Sequence, residues 1–384
     1  MAHCSRRDVL RFCASLLARP GFPDAVAQPA LIGSLTLELA QVFSRSSVKA
    51  ISPDGTKLCL EDWSERGYPL RVVEIGSWRT LYTGRFSSRV RGTPSFFASS
   101  ESLLVSAFAS AAGGTCGVGE GHCADRQMIV DLRTGQRIER VLPFSPGQGE
   151  SYYALAGTTV LDVHRRDQAE DLALVEFPSY RQLVKVPYAT QPRKPRPIIS
   201  NITLSTDYGL AFSADRKMLA YAFDDTLLCR RTEDLKVLWS RPLEAGMKPL
   251  RVDVSPLGSR VAVAMADGEP LLNQQHRAYI AVYDGETGKD SGRLSPRWSD
   301  GIALSADGMQ IATVVREPGK KGDVIPTVYI YDVSSGQKLA SIVHDRIKDS
   351  RHQLLEAACG VAFTSDGKYM ITSGMATKVW RLGS

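Results

Sequence analysis

Ionisable side chains that could act together in acid–base chemistry occur at two places in the sequence. Asp253 interrupts a series of small residues, and His344 precedes a long segment in which His352 and Glu356 are four residues apart. Positions four apart share one face of a helix, so a helical turn would bring those two side chains together. Convergent groups of this kind could transfer a proton or supply half of a metal site. The structural alternatives are a carboxylate at Asp253 bonded to backbone N–H groups and a solvated surface helix.

Two cysteines, Cys116 and Cys123, flank six residues of which three are glycine. Both thiolates with His122 and Glu120 could bind a metal, but the usual zinc spacer has two to four residues and a second cysteine pair would be needed. In an oxidising compartment, a disulfide between Cys116 and Cys123 is the simpler interpretation. Free thiols remain open as a third alternative. We predict no metal site.

A basic segment, Gln191–Ile199, alternates proline with Arg193, Lys194 and Arg196. This composition favours an extended, hydrated backbone. The three cations could dock an acidic partner, and a solvated connector between two structural units is the alternative.

The overall composition is that of a soluble globular protein. The chain has 384 residues, of which 43% are hydrophobic and 23% charged, with a net charge of +6. The basic residues are spread along the chain without the stripe or interleaved aromatics of nucleic-acid-binding proteins, so we predict no nucleic-acid partner. No apolar run approaches the roughly 20 residues of a membrane helix, so we expect no integral membrane segment in the mature chain.

The start of the chain resembles an export signal. The heptapeptide SRRDVLR, with Arg6 and Arg7 at its centre, is similar to the bacterial twin-arginine motif, and Ala25 and Ala27 provide small residues at a cleavage site. The resemblance implies that residues 1–27 form a signal peptide and that the mature protein is periplasmic or secreted. The alternative is an amphipathic N-terminal helix on a cytoplasmic protein.

Seven similar segments recur along the rest of the chain, each with an apolar residue, a polar turn and a second apolar run. They are ISPDGTKLCL (51–60), FASSESLLVS (97–106), YALAGTTVLD (153–162), FSADRKMLAY (212–221), VSPLGSRVAV (254–263), LSADGMQIAT (304–313) and FTSDGKYMIT (363–372). A third strand-like segment follows each copy, and a fourth follows most of them. Four short antiparallel strands repeated every 40–60 residues predict propeller blades.

The turn of each copy has a chemical cause. Aspartate followed by glycine supplies the positive φ of a tight hairpin. In our alignment the second and fourth copies depart most, with Glu101 and Arg216 at the glycine position. One place before the hairpin, alanine recurs and Asp253 breaks the series; the alanines are Ala50, Ala211, Ala303 and Ala362.

We therefore predict an all-β protein in which residues 28–384 form a single seven-bladed β-propeller domain. The last copy stops after three strands, and Ser34–Phe43 is a strand-like segment without a hairpin of its own. Placed as the outer strand of the last blade, this N-terminal strand would complete the sheet and close the ring.

Together, the seven copies resemble WD-repeat-like and YVTN-type propellers of the quinoprotein amine dehydrogenase-like group. The recurring Gly-His and Trp-Asp pairs of true WD repeats are missing, and KVWRL at 378–382 is the nearest approach. The resemblance implies a fold and leaves activity open.

From these features we predict a non-catalytic module that binds a protein or peptide partner and uses no cofactor. The alternative is a propeller enzyme, or a quinoprotein-dehydrogenase-like subunit, with its site at the central channel. Neither a Gly-x-Ser-x-Gly elbow nor a Cys-x-x-Cys-His haem site occurs in the sequence. A structural component of the cell envelope is a third, weaker hypothesis.

Overall fold

The computed structural model describes residues 35–62, 69–84, 90–109, 124–141, 151–166, 169–188, 210–223, 225–267, 277–296, 299–318, 324–344, 360–374 and 376–383. Within these ranges lie 28 β-strands, arranged as seven antiparallel sheets of four strands. We call each sheet a blade and number the blades in chain order.

Each blade has an inner, a second, a third and an outer strand. The inner strands are β2 (Ser46–Ile51), β6 (Val90–Phe96), β10 (Ser151–Ala154), β14 (Ala211–Phe212), β18 (Lys248–Val254), β22 (Ser299–Leu304) and β26 (Gly360–Phe363). The second strands are β3 (Lys57–Asp62), β7 (Ser102–Ala109), β11 (Thr159–Arg166), β15 (Met218–Phe223), β19 (Arg260–Ala266), β23 (Gln310–Pro318) and β27 (Tyr369–Ser373). The third strands are β4 (Leu70–Glu74), β8 (Ala124–Asp131), β12 (Ala169–Glu176), β16 (Thr226–Arg231), β20 (Ala278–Asp284), β24 (Val324–Asp332) and β28 (Ala376–Leu382). The outer strands are β5 (Thr80–Gly84), β9 (Arg137–Val141), β13 (Arg181–Pro187), β17 (Val237–Pro242), β21 (Asp290–Leu294), β25 (Lys338–Val343) and, in the seventh blade, β1 (Leu37–Ser44).

The hydrophobic core consists of seven clusters, one between each pair of neighbouring blades. Successive residues of a strand point to opposite faces, so one strand serves two clusters. On β19, Val261 and Val263 pack toward the fourth blade, whereas Ala262 and Ala264 pack toward the sixth. A sheet covered on both faces reads as an apolar run, as VAVAMA does. The seven blades therefore form a ring, and the prediction of a seven-bladed β-propeller is confirmed.

The seventh blade joins the two ends of the described chain. β1 pairs antiparallel with β28, from Leu37 opposite Leu382 to Ser44 opposite Ala376. Phe43 of β1 packs in the cluster between the seventh and first blades. Hydrogen bonds of the seventh sheet thus hold strands from the start and the end of the sequence in one blade.

The recurring Ser-x-Asp-Gly sequence forms the turn between inner and second strands. In the first blade, Ser52 Oγ donates to Asp54 Oδ1 over 2.6 Å and accepts from the N–H of Lys57 over 2.8 Å. The same pair of bonds recurs around Ser213, Ser305 and Thr364. These polar residues are therefore structural, because they satisfy the backbone of the turn.

The second copy was misaligned by one residue in the sequence. Phe96 pairs with Leu103 at the end of the inner strand, and the left-handed turn residue is Ser100 with φ +61°, so Glu101 is not at the glycine position. Two adjacent phenylalanines, Phe96 and Phe97, fit the pattern equally well, and only the strand register distinguishes them. In the fourth copy the prediction holds, since Arg216 has φ +60°.

The two faces of the ring differ. Turns from inner to second strand and from third to outer strand lie on one side, which we call the hairpin face; the other connections start and end on the opposite side, the loop face. Turns on the hairpin face have four or five residues. Connections on the loop face range from the single residue Arg45, between β1 and β2, to residues 188–210, between β13 and β14.

The hairpin turns are tied together from blade to blade. Hydrogen bonds run from Asp54 N–H to Ser100 Oγ (3.1 Å), Ala98 N–H to Leu155 O (2.8 Å), Ala214 N–H to Pro256 O (2.8 Å) and Leu257 N–H to Ala306 O (3.2 Å). These bonds join the turns of the first to third blades and those of the fourth to sixth.

Candidate functional site

The central channel is the cavity around which all seven blades meet. It has a volume of about 290 Å³, and the inner strand of every blade contributes to its wall. Small, mostly apolar pockets with a few polar groups are the usual form of a ligand site. The channel is therefore the candidate functional site, and charged residues line both of its ends.

One position of the inner strand lines the channel in every blade. Its register with the second strand identifies the residues as Ala50, Ser95, Tyr153, Ala211, Asp253, Ala303 and Ala362. Most of these side chains are small. Asp253 is the single ionisable carboxylate of the set, as the break in the alanine series predicts.

Asp253 bridges two inner strands. Its Oδ2 accepts a hydrogen bond of 2.7 Å from the N–H of Leu304 in the next blade. Ser95 does the same with a hydroxyl, since its Oγ accepts from the N–H of Ala154 over 3.2 Å. The structural alternative for Asp253, a carboxylate bonded to a neighbouring backbone N–H, is therefore part of its role.

Burial raises the pKa of Asp253 to about 7, although hydrogen bonds from the N–H groups of Leu304 and Val254 oppose the rise. A carboxyl with this pKa exchanges its proton near neutrality, which is where general acids and bases work best. Asp253 thus combines a structural hydrogen bond with a pKa that suits proton transfer near neutral pH.

The loop-face end of the channel carries charges from three blades. Lys49 pairs with the buried Glu61 at 2.8 Å. Arg251, two residues before Asp253, donates from Nε to the carbonyl oxygen of Asp300 over 3.1 Å. Lys49, Arg251 and Asp300 all line the channel, so this mouth is polar and contains both signs of charge.

The hairpin end of the channel carries one cation, Arg216. Its side chain lines the channel, and Nη2 donates to the carbonyl oxygen of Phe96, two blades away, over 3.3 Å. The guanidinium carbon is 5.2 Å from the centre of the Phe212 ring. Burial lowers the pKa of Arg216 to about 10, so the group stays charged at neutral pH.

The other residues singled out in the sequence do not join Asp253 among the described residues. His344 is buried, follows outer strand β25, and is not part of the channel wall. The remaining candidates lie outside the described residues: His352 and Glu356, Cys116 and Cys123, Arg193, Lys194 and Arg196, and Arg6, Arg7, Ala25 and Ala27.

Two further findings concern the part of the chain that the structure describes. It contains no group of three or more His, Cys, Asp or Glu side chains placed to hold a metal ion. It also contains no helix with the length and apolar character that crossing a bilayer requires.

Four charged channel residues, Lys49, Arg216, Arg251 and Asp300, were not recognised as site residues from the sequence. Arg251 and Asp300 lie on different strands, and no short motif records their approach. Arg216 had a signal, since a long cationic side chain replaces glycine at a position of positive φ. Such a replacement costs backbone energy and therefore points to a use of the side chain.

Comparisons with known proteins identify the fold. No family model matches the chain, and no curated protein matches it. Among solved structures, the β-propeller domain of Cps50 (Swd1) from Myceliophteria thermophila is similar, with a TM-score of 0.56 and 12% sequence identity over 91% of this chain and 100% of that one. At this level of identity the likeness concerns architecture alone.

Proposed function

We propose that this chain is a non-catalytic binding module that presents the loop face of its propeller to a protein or peptide partner. The proposal rests on the different lengths of the connections on the two faces of the ring. Turns on the hairpin face are short and alike, whereas connections on the loop face vary from one residue to the span 188–210. On repeat scaffolds, such variable insertions on one face are where binding surfaces usually arise.

The partner-binding candidates belong to the longest of these connections. In the sequence, Arg193, Lys194 and Arg196 belong to the segment between β13 and β14. Three cations within four residues suit an acidic surface or peptide, because charge complementarity accelerates encounter and fixes orientation. We propose that this segment docks an acidic partner.

A charge-reversal experiment tests the proposal. The triple variant R193E/K194E/R196E changes the charge on the loop face. The matched control K217E/K236E/K368E makes the same change on the hairpin face, at lysines whose side chains are 82%, 75% and 73% exposed. Co-purification should recover a protein with the unmodified chain and with the control but not with the loop-face variant, and that protein, once purified, should bind directly. Equal recovery by all three forms would contradict the proposal.

A second candidate function, an enzyme with its site at the channel, is favoured by the pKa of about 7 at Asp253. If Asp253 is a general base, D253N should abolish turnover of any substrate found by screening, and the pH–rate profile should show an apparent pKa near 7. S95A removes the equivalent bond without a titratable group and is the control. Unchanged turnover by D253N would exclude this role.

We also propose that the protein is exported and that its repeats are of the YVTN rather than the WD type. Support for export comes from SRRDVLR alone, and support for the subtype comes from the Ser-x-Asp-Gly turns without Gly-His and Trp-Asp pairs. Fusing residues 1–27 to a reporter tests the first point. Substituting lysine for both Arg6 and Arg7 should retain the reporter in the cytoplasm, and unchanged export would refute the twin-arginine assignment.

A further inference from the structure

The guanidinium group of Arg216 is only partly satisfied by the protein. Its Nε is buried and has no hydrogen-bond partner among the described residues. The bond from Nη2 to Phe96 O is long, at 3.3 Å, and its acceptor is uncharged. The lowered pKa of Arg216 has burial as its cause, with no contribution from a carboxylate. A buried charge without a counter-ion is costly, so its retention needs an explanation.

The turn geometry explains how an arginine fits where the second blade has Ser100 and the other five have glycine. A Cβ at this position points at the turn of the preceding blade: at Gly55 it would lie 2.8 Å from Ser365 Oγ, and at Gly308 2.5 Å from Arg260 Cγ. Before Arg216, the preceding turn is that of the third blade, residues 155–158, which is one residue shorter than the turn at residues 213–217. The shorter turn leaves a gap, and the arginine side chain crosses it toward the second blade.

The surroundings of Arg216 define the chemistry of a ligand. The channel wall near the hairpin face includes Phe212 and the serines Ser52, Ser213 and Ser365. The other cations that line the cavity, Lys49 and Arg251, belong to the opposite end and have partners there. Among the described residues, the guanidinium group of Arg216 therefore balances one negative charge at this end. A planar carboxylate matches its fork of N–H donors, whereas a doubly charged phosphate would leave one charge unbalanced.

We propose that the hairpin end of the channel binds a small monoanionic carboxylate, which pairs with Arg216 and packs its apolar part against Phe212. A volume of about 290 Å³ suits a small molecule rather than a folded partner. This site is distinct from the loop-face surface and does not depend on it.

Calorimetric titration of the full chain with benzoate, hexanoate and phenylacetate tests the proposal. Benzamide keeps the shape of benzoate without its charge and should bind much more weakly. Inorganic phosphate should not compete. R216M should weaken binding of the acids about tenfold to a hundredfold, the range expected for a lost charged hydrogen bond. K217M removes the neighbouring cation, whose side chain is 82% exposed, and should leave binding unchanged.

Three results would overturn the proposal: equal binding of benzamide and benzoate, unaltered affinity in R216M, or no acid of the panel binding with a Kd below about 10 mM. If circular dichroism shows that R216M does not fold, R216K decides the question. It keeps the charge but not the planar fork, so it should bind the acids more weakly than the unmodified chain.

Discussion

Replacing Asp253 by asparagine should stabilise the protein, and more so at pH 8 than at pH 5. Burial raises the pKa of this carboxyl from 3.8 to about 7 in the folded protein. Below pH 3.8 the folded and unfolded chains both hold the proton, and ionisation has no effect on stability. Between pH 3.8 and 7 the unfolded chain ionises first, so stability falls as the pH rises. Above about pH 7 the loss is complete.

The magnitude follows from the difference in pKa. About three pKa units correspond to roughly 4 kcal/mol at about 1.4 kcal/mol per unit. At pH 5 only about 1.5 kcal/mol of this loss is present, because pH 5 is just over one unit above the pKa of the carboxyl in the unfolded chain. Asparagine keeps an oxygen for the N–H of Leu304 but has no charge. The gain from D253N should therefore increase by roughly 2–3 kcal/mol between pH 5 and pH 8, and water in the channel reduces this to no less than about 1 kcal/mol.

Urea unfolding at pH 5, 6, 7 and 8 measures this difference. S95A is the matched control, because Ser95 makes the equivalent bond to Ala154 without a titratable group. Loss of this hydrogen bond in S95A should lower the free energy of unfolding by about 1 kcal/mol at every pH. A gain from D253N that is the same at pH 5 and pH 8, or a loss of stability at pH 8, would refute the reasoning. Either result would mean that the channel favours the ionised carboxylate.

Three other substitutions or reactions test the architecture. G55A should lose more stability than G135A in thermal unfolding. Both positions have positive φ, which makes alanine cost roughly 1 kcal/mol at each. Only the Cβ at position 55 meets the turn of the seventh blade, and this contact adds to the cost there. F43A should lower the free energy of unfolding by about 3–4 kcal/mol, because Phe43 packs in the cluster between the seventh and first blades. The exposed neighbour Val42 should tolerate alanine within about 0.5 kcal/mol. Equal effects of the two substitutions in urea unfolding would show that this cluster does not hold the ring. The thiol of Cys59 is fully buried, and burial raises its pKa to about 12. Mass spectrometry should therefore find Cys59 alkylated only after the protein has unfolded. Rapid alkylation in the native state would contradict the packing.

The fold could be predicted from the sequence because the information is local and repeated. Each Ser-x-Asp-Gly turn satisfies its own backbone, so a few residues suffice to locate a hairpin. The burial of Cys59 and Cys229 follows from the same local information, since apolar runs on both sides of a strand indicate a covered sheet. The one-residue error in the second blade arose where local chemistry was ambiguous, between Phe96 and Phe97.

The site could be predicted only in part. Asp253 was found because it breaks an alanine series that the ring brings to one level of the channel. The reach of Arg216 could not be predicted, because it depends on a missing residue in another blade. The approach of Arg251 to Asp300 depends on the spacing between two blades, which the sequence does not record.

The pairing of β1 with β28 has a consequence during synthesis. β1 is made long before its neighbour and can pair with it only when residues 376–382 have been synthesised. Contacts so distant in sequence are slow to form, and until then the edge of β1 can pair with other chains. We expect the nascent protein to be most prone to aggregation during this interval, although the blades between the two strands can already assemble.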